Sequence, residues 1–162
     1  MIGDNNLEIK RSKLNGSGVF AKKQFRSGEQ IFQVKGRLYT KQEIYALAGG
    51  KFADNTFRFA KDYFISPEGE LGDFLNHSCN PNSGVKKINN TLIVAAIKDI
   101  HIGEEITMDY STILTDDDVY ELDCNCGNSK CRNRIKGFSS LPQNIKEEYI
   151  HLGIVPEYIL NQ

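Results

Sequence analysis

Apolar and charged side chains alternate over Leu7–Arg11, the period-two pattern of a half-buried strand, and residues 30–34 alternate less regularly. Thr40-Lys41-Gln42-Glu43 has the Thr-x-x-Glu spacing in which each end bonds the other's backbone. It predicts a helix running to about Ala48, with Gly49-Gly50 as its stop. Residues 56–60 and Tyr63–Ser66 are two further short strand candidates. A hairpin is expected around Asn89-Asn90, because asparagine tolerates the positive φ of a tight turn and residues 85–88 and Thr91–Ala96 flank it. Near the C-terminus a helix is expected from Ser139 or Ser140, with Pro142 in its first turn and Gly153 at its end. Ile145, Tyr149 and Leu152 share one face of that helix and read as core packing. No repeat, low-complexity tract or Pro- or Ser-rich linker breaks the pattern. The expectation is a β-rich α+β chain with few short helices, in one domain plus a C-terminal extension.

Composition narrows the class. The chain has 162 residues, 40% hydrophobic and 25% charged, enough for a real core without staples. Lys and Arg total 20 against 21 Asp and Glu, a formal net charge of −1, which excludes a basic domain held on nucleic acid by phosphate neutralisation alone. No apolar run approaches the ~18–20 residues that span a bilayer. The first residues, Met1-Ile2-Gly3-Asp4, lack the charged-then-apolar pattern of a secretory signal. The expectation is an intracellular protein, cytoplasmic or nuclear, with no membrane and no direct nucleic-acid partner.

Cysteine usage is sharper. Three of the four cysteines, Cys124, Cys126 and Cys131, fall within eight residues. In a reducing compartment such a cluster reads as a metal site. Zinc takes four ligands in a tetrahedron, and the one remaining thiol is Cys79. The alternative is two disulfides in a secreted chain.

Cys79 lies in Asn76-His77-Ser78-Cys79-Asn80-Pro81-Asn82, whose polar groups have no evident structural task in the sequence. Further on stands Gly103-Glu104-Glu105-Ile106-Thr107-Met108-Asp109-Tyr110, and near the start Gly16-Ser17-Gly18-Val19-Phe20-Ala21. These segments and the Cys-x-Cys-x4-Cys-Arg ending, in this order, resemble the SET-domain family of protein lysine methyltransferases with its post-SET zinc motif. The resemblance runs from about residue 7 to residue 132. A Rossmann fingerprint is the competing reading of the glycine segment, but Lys22-Lys23-Gln24-Phe25-Arg26-Ser27-Gly28 has no helical stripe to follow it.

The resemblance implies a SET fold of short sheets with a pseudoknot, plus a post-SET zinc segment and helix. The domain boundaries it suggests are 1–118 for the SET domain, 119–136 for the zinc segment and 137–162 for a helical extension. It implies S-adenosyl-L-methionine as methyl donor, contacted by Gly16, Ser17, Gly18, Val19, Phe20, Asn76, His77 and Tyr110, with Tyr110 as the catalytic residue. One structural zinc would be held by Cys79, Cys124, Cys126 and Cys131. The partner would be a basic protein or peptide bearing the target lysine, histone tails foremost. A catalytically inactive SET module that binds peptides or assembles a complex is the alternative, and a zinc-dependent nucleic-acid binder is a second rival. Met108 stands where the family usually has Phe or Tyr, which leaves the number of methyl groups open, and Asp73 stands where many members carry Arg.

Methyl transfer is an in-line displacement, so positioning supplies much of the rate. Free lysine has a pKa of about 10.4, and a desolvated channel beside a cationic sulfonium lowers it. Such a site needs a narrow apolar tunnel with one or two polar groups rather than a strong base. Phe57, Tyr63 and Phe138 are channel candidates that read better as core aromatics. Asp116-Asp117-Asp118 reads as a solvated loop, with an acidic rim steering a basic peptide as the alternative.

Overall fold

A computed structural model describes residues 5–47, 55–116, 118 and 122–161. Twelve short strands are arranged in four small sheets among these residues. β1 (Leu7–Arg11) and β2 (Ser17–Ala21) form an antiparallel hairpin. Its turn closes where the Ser12 N–H donates to the Gly16 carbonyl, at 3.0 Å, with Gly16 at φ +47°. β2 continues into β10 (Glu105–Met108), which in turn lies parallel to β7 (Asn76–His77), so the order is β1-β2-β10-β7. That single pairing pattern brings the glycine segment, the Asn-His pair and the Glu105–Met108 strand side by side.

A second sheet has the order β3-β9-β8, from β3 (Gln30–Gln33), β8 (Ser83–Ile88) and β9 (Thr91–Ala96). The β8–β9 hairpin turns at Asn89 and Asn90, with φ 46° and 61°, the pair of positive angles that a two-residue hairpin loop with the strands' own twist requires. The third sheet, β4-β6-β5, comprises β4 (Arg37–Thr40), β5 (Phe57–Ala60) and β6 (Tyr63–Ser66). β11 (Leu122–Asp123) and β12 (Arg134–Ile135) pair within the cysteine segment.

The helices are few. α1 (Lys41–Ala46) carries the predicted capping box, with Thr40 and Glu43 each bonding the other's backbone. Its described part ends at Ala46 with Leu47 as cap, and Ala48, Gly49 and Gly50 lie outside the described residues. The expected start of the C-terminal helix at Ser139 or Ser140 is corrected. Phe138–Ser140 is one 3-10 turn, Leu141 is extended at φ −68° and ψ 146°, and α2 (Gln143–His151) begins after Pro142 as its N-cap. The proline ring disfavours helical backbone at the residue before it, so the helix cannot run through Leu141. Gly153, at φ +66°, ends the helical region as expected, and a last turn, α3 (Glu157–Leu160), follows.

The main core packs side chains from all but the smallest sheet, with Val19, Leu92, Val94, Ile106 and Met108 at 0% exposure. A second core holds Phe138, Leu141, Tyr149, Ile154 and Ile159, so the predicted Tyr149 stripe is indeed packing. Ile154 docks on β8 over Gly84, where an added Cβ would come within 2.6 Å of the Ile154 side chain. Two aromatic expectations divide here. Phe57 and Phe138 are core residues, but Tyr63 is 45% exposed, because the next residue, Phe64, takes the inward face of β6. The acidic run is also corrected: the Asp118 side chain is buried against Arg58 as an ion pair and accepts from the Thr115 N–H at 2.7 Å. Asp116 accepts from the Ser139 hydroxyl, and Asp117 lies outside the described residues.

Candidate active site and metal centre

Asn76 has a structural task that the sequence did not reveal. Its side-chain amide donates to the carbonyls of Asn15 (3.1 Å) and Ser17 (3.0 Å) and to Glu105 Oε1 (2.7 Å). The Ser12 hydroxyl lies 2.8 Å from both Glu105 oxygens. Glycine at position 18 leaves room for this cluster: an added Cβ would fall 2.2 Å from Glu105 Oε1 and 3.2 Å from the Asn76 amide, and would push the Glu105 carboxylate out of its place. The glycine segment is therefore strapped to β7 and β10 by its own polar neighbours. Ser17 is exposed at the start of β2. Val19 points into the main core, and Phe20 is half-buried beneath Lys10, whose Nζ sits 4.4 Å from the ring centroid. Both residues pair through their backbones with β1 on one side and β10 on the other.

His77 is buried one residue on. Its Nδ1 accepts from the Tyr110 N–H at 3.2 Å, so the ring proton of a neutral imidazole belongs on Nε2, which lies 3.3 Å from Cys79 Sγ. Burial drives the imidazole pKa down to about 4, against the opposing pull of the Asp109 carboxylate 3.7 Å away. Tyr110 starts a 3-10 turn, Tyr110–Thr112, directly after β10. Its ring meets His77 edge-on, with centroids 5.2 Å apart, and its hydroxyl donates to the Leu75 carbonyl at 2.7 Å. A cleft of about 300 Å³ is walled by Asn15, Asn76, His77 and Tyr110 on one side and by Leu122 and Ile135 of the cysteine segment on the other.

The four thiols converge. All four Sγ atoms lie within 4.8 Å of one another, and Cys79 and Cys124 are 3.7 Å apart. A zinc–sulfur bond of ~2.3 Å gives a tetrahedral S···S edge of about 3.8 Å. A disulfide would need ~2.05 Å, and all four cysteines are free thiols, so the disulfide alternative is not realised. Two backbone N–H groups are aimed at sulfur: that of Arg132 donates to Cys79 Sγ and that of Asn133 to Cys131 Sγ, each at 3.4 Å. Burial pushes the Cys79 thiol up to about 11 and raises Cys124 as well. At Cys126 burial is outweighed by hydrogen bonds, and the thiol falls to about 7. Two buried thiols that resist ionisation in a closed sulfur tetrahedron are a donor set for one soft divalent cation, whose charge offsets that cost.

Several contributors were missed from sequence. Glu105, Ser12, Asp109 and Arg132 all make polar contacts around the site. Glu105, Asp109 and Arg132 stand inside motifs already quoted, so the signal was present, but their partners are remote in sequence. Asp73 accepts from the Gly69 N–H of its own loop, a local pairing.

Comparison with known proteins agrees with this architecture. A family profile described as the SET domain matches residues 16–111. The chain is 32% identical to the variant-silencing SET domain-containing protein of Plasmodium falciparum (isolate 3D7), across 88% of this chain and 6% of that protein. It is 29% identical to histone-lysine N-methyltransferase 2B of Homo sapiens, across 76% of this chain and 5% of the relative. With the H3 lysine-4 specific histone-lysine N-methyltransferase of Cryptococcus neoformans it shares 28% identity, across 78% and 9%. The chain thus spans less than a tenth of the length of each of these relatives.

Proposed function

This chain belongs to the SET-domain family, and on that premise we propose that it is a protein-lysine N-methyltransferase using S-adenosyl-L-methionine on a lysine of a histone or another basic protein. The observation that carries the reading is the single cleft where Asn76, His77 and Tyr110 face the cysteine segment. Its volume and mixed polar and apolar walls suit a small polar ligand with an extended apolar face. Asn15, Asn76 and His77 would hold the cofactor, and the loop at Gly16 and Ser17 offers exposed backbone beside them. Bound S-adenosylmethionine supplies a methyl group on a cationic sulfonium, the C–S bond breaking as the lysine nitrogen forms the new N–C bond.

The chain's own residues do the rest. The Tyr110 proton is committed to the Leu75 carbonyl, so the hydroxyl oxygen acts as an acceptor that orients the amine and methyl groups. The amine must react uncharged, and a closed cleft favours that state by disfavouring the ammonium form. His77, neutral and bonded on both nitrogens, positions Tyr110 and Cys79 rather than acting as a base. Cys79, Cys124, Cys126 and Cys131 would hold one zinc, closed to water and structural, pinning the second wall of the cleft. We also propose the division into a SET domain (1–118), a zinc segment (119–136) and a helical extension (137–162). No helix among the described residues is long and apolar enough to cross a membrane. A histone substrate would place the protein in the nucleus.

The test is methyl transfer from labelled cofactor into a whole-cell lysate by zinc-loaded protein, with mass spectrometry of the modified proteins and calorimetric titration of the cofactor. Labelled lysine is expected. Cofactor binding without any labelled product would point to an inactive peptide-binding module, and the absence of both would reject the assignment.

A further inference from the structure

Asp109 is at 0% exposure, yet groups from four elements approach its carboxyl oxygens. Its Oδ1 accepts from the Ser111 N–H at 3.0 Å, which caps the 3-10 turn that begins at Tyr110. The same oxygen accepts from Arg132 NH2 of the cysteine segment at 2.8 Å and lies 3.7 Å from His77 Nδ1. Oδ2 accepts from the Tyr149 hydroxyl of α2 at 3.1 Å. Arg132 NH2 also reaches the Ser111 hydroxyl, at 3.3 Å, while its buried NH1 has no hydrogen-bond partner among the described residues. This guanidinium is thus anchored chiefly through one nitrogen, on Asp109 and its turn.

Tyr149 is 4% exposed, and burial together with the neighbouring carboxylate holds its phenol protonated, so it remains a donor. Arg132, whose NH2 meets Asp109 Oδ1 at 2.8 Å, supplies the cation. The network is therefore a buried carboxylate between one cation and one hydroxyl, the arrangement in which each bond is strengthened by its surroundings. Asp109 is covalently next to Tyr110, so a shift of its carboxylate turns the backbone that carries the Tyr110 ring. α2 lies outside the stretch matched by the family profile.

We propose that Tyr149 and Asp109 are positioning residues through which the C-terminal helix holds the Tyr110 turn and the cysteine segment in one register. The part concerning turnover rests on the function proposed above; the part concerning register does not. The hydroxyl of Tyr149 fixes Oδ2, and Oδ1 is thereby presented to both Ser111 and Arg132. Without that hydroxyl Oδ2 loses its partner and the carboxylate is held through Oδ1 alone, so the cap of the Tyr110 turn loosens and the wall carried by Arg132 shifts at the cleft.

The experiment uses the zinc-loaded full chain with Tyr149→Phe, which keeps the ring and removes only the hydroxyl. Expected are a fall in kcat of about tenfold, the size of one charge-assisted hydrogen bond, with KM for cofactor and zinc content unchanged. Amide hydrogen exchange should quicken at Ser111 and across residues 132–135, in protein whose melting temperature still lies well above that of the assay. Tyr158→Phe, which loses a tail hydroxyl bonded to the Arg58 carbonyl, is the control and should leave kcat and the Ser111 exchange as in the wild type. Wild-type exchange at Ser111 in Tyr149→Phe would overturn the proposal, as would an equal effect from Tyr158→Phe. If the wild type transfers no methyl group, the function above fails, and the exchange pattern alone still decides whether the helix sets this register.

Discussion

Among the described residues, seventeen buried side chains pack into one cluster around Val19, Ile106 and Met108, whereas around Cys79 only Cys124 and Ile135 are buried with it. Each buried aliphatic or aromatic side chain contributes ~1.5–3 kcal/mol. The first cluster sums many such contributions and the second very few, against ~1–2 kcal/mol lost for each residue whose backbone is fixed. Asn76, His77 and Tyr110, set beside the first cluster, and Leu122 and Ile135 of the cysteine segment line one cleft, so the wall carried by strands is stable by burial, while the wall made of loops would rely on the proposed zinc and a few buried polar bonds. Activity can therefore be lost by loosening the weaker wall while the fold survives.

Metal removal should separate the two walls most completely. Stripping zinc with a chelator, or replacing Cys79 by Ser, is expected to lower methyl transfer by at least a hundredfold while far-ultraviolet circular dichroism of the sheets changes little. Zinc content by elemental analysis, read beside activity, checks this; a metal-free preparation with full activity would contradict it. The stronger wall is broken from the other side by Ile106→Ala, which leaves a cavity in a fully buried strand. A loss of ~2–5 kcal/mol in unfolding free energy is expected, with the four thiols still able to bind metal in the folded fraction. Denaturant titration measures it, and a change under 1 kcal/mol would mean that the strand core is less tightly packed than its burial implies.

Tyr110→Phe addresses the seam between the walls. The ring keeps its contact with His77 and only the hydroxyl on the Leu75 carbonyl is lost. We expect kcat to fall by about a hundredfold, or ~2.7 kcal/mol at the transition state, with cofactor affinity and melting temperature nearly unchanged. Turnover at the wild-type rate would remove Tyr110 from the chemistry. Asn76→Ala should have a smaller effect, a roughly tenfold weaker cofactor affinity, because it releases the strap on Asn15 and Ser17 as well as any contact to the ligand. Calorimetry decides, and Glu105→Gln sharpens it: the Ser12 hydroxyl still has an oxygen to approach, so affinity should fall by less than with Asn76→Ala.

Where the controlling contact spans three or four residues, the elements follow from the order of side chains. Thr40 and Glu43 cap α1 as the Thr-x-x-Glu spacing requires, Asn89 and Asn90 turn the β8–β9 hairpin, and Leu7–Arg11 alternates as β1 does. The start of α2 lies beyond the expected Ser139 or Ser140 although its cause is equally local: Pro142, which favours a helix start, also keeps Leu141 before it out of the helix. The candidate site was legible as residue types in order. Its partners were not, and Asn76 shows the difference: its identity marks the motif, but its bonds to Asn15, Ser17 and Glu105 exist only because β7 lies along β10 and β10 along β2.

By itself, then, the sequence determined the strand-rich pattern, the caps and turns, the count of thiols and the family of motifs, because dihedral preferences and short-range hydrogen bonds act between near neighbours. Only the tertiary structure decided that Gly18 makes room for the Glu105 carboxylate, that Asp118 pairs with the buried Arg58, and that Tyr149 reaches the carboxylate next to Tyr110. Each of these is a contact between residues remote in sequence, in a space partly or wholly closed to water. Such a contact depends on which remote backbone closes that space, and a side chain's neighbours in sequence carry no record of it.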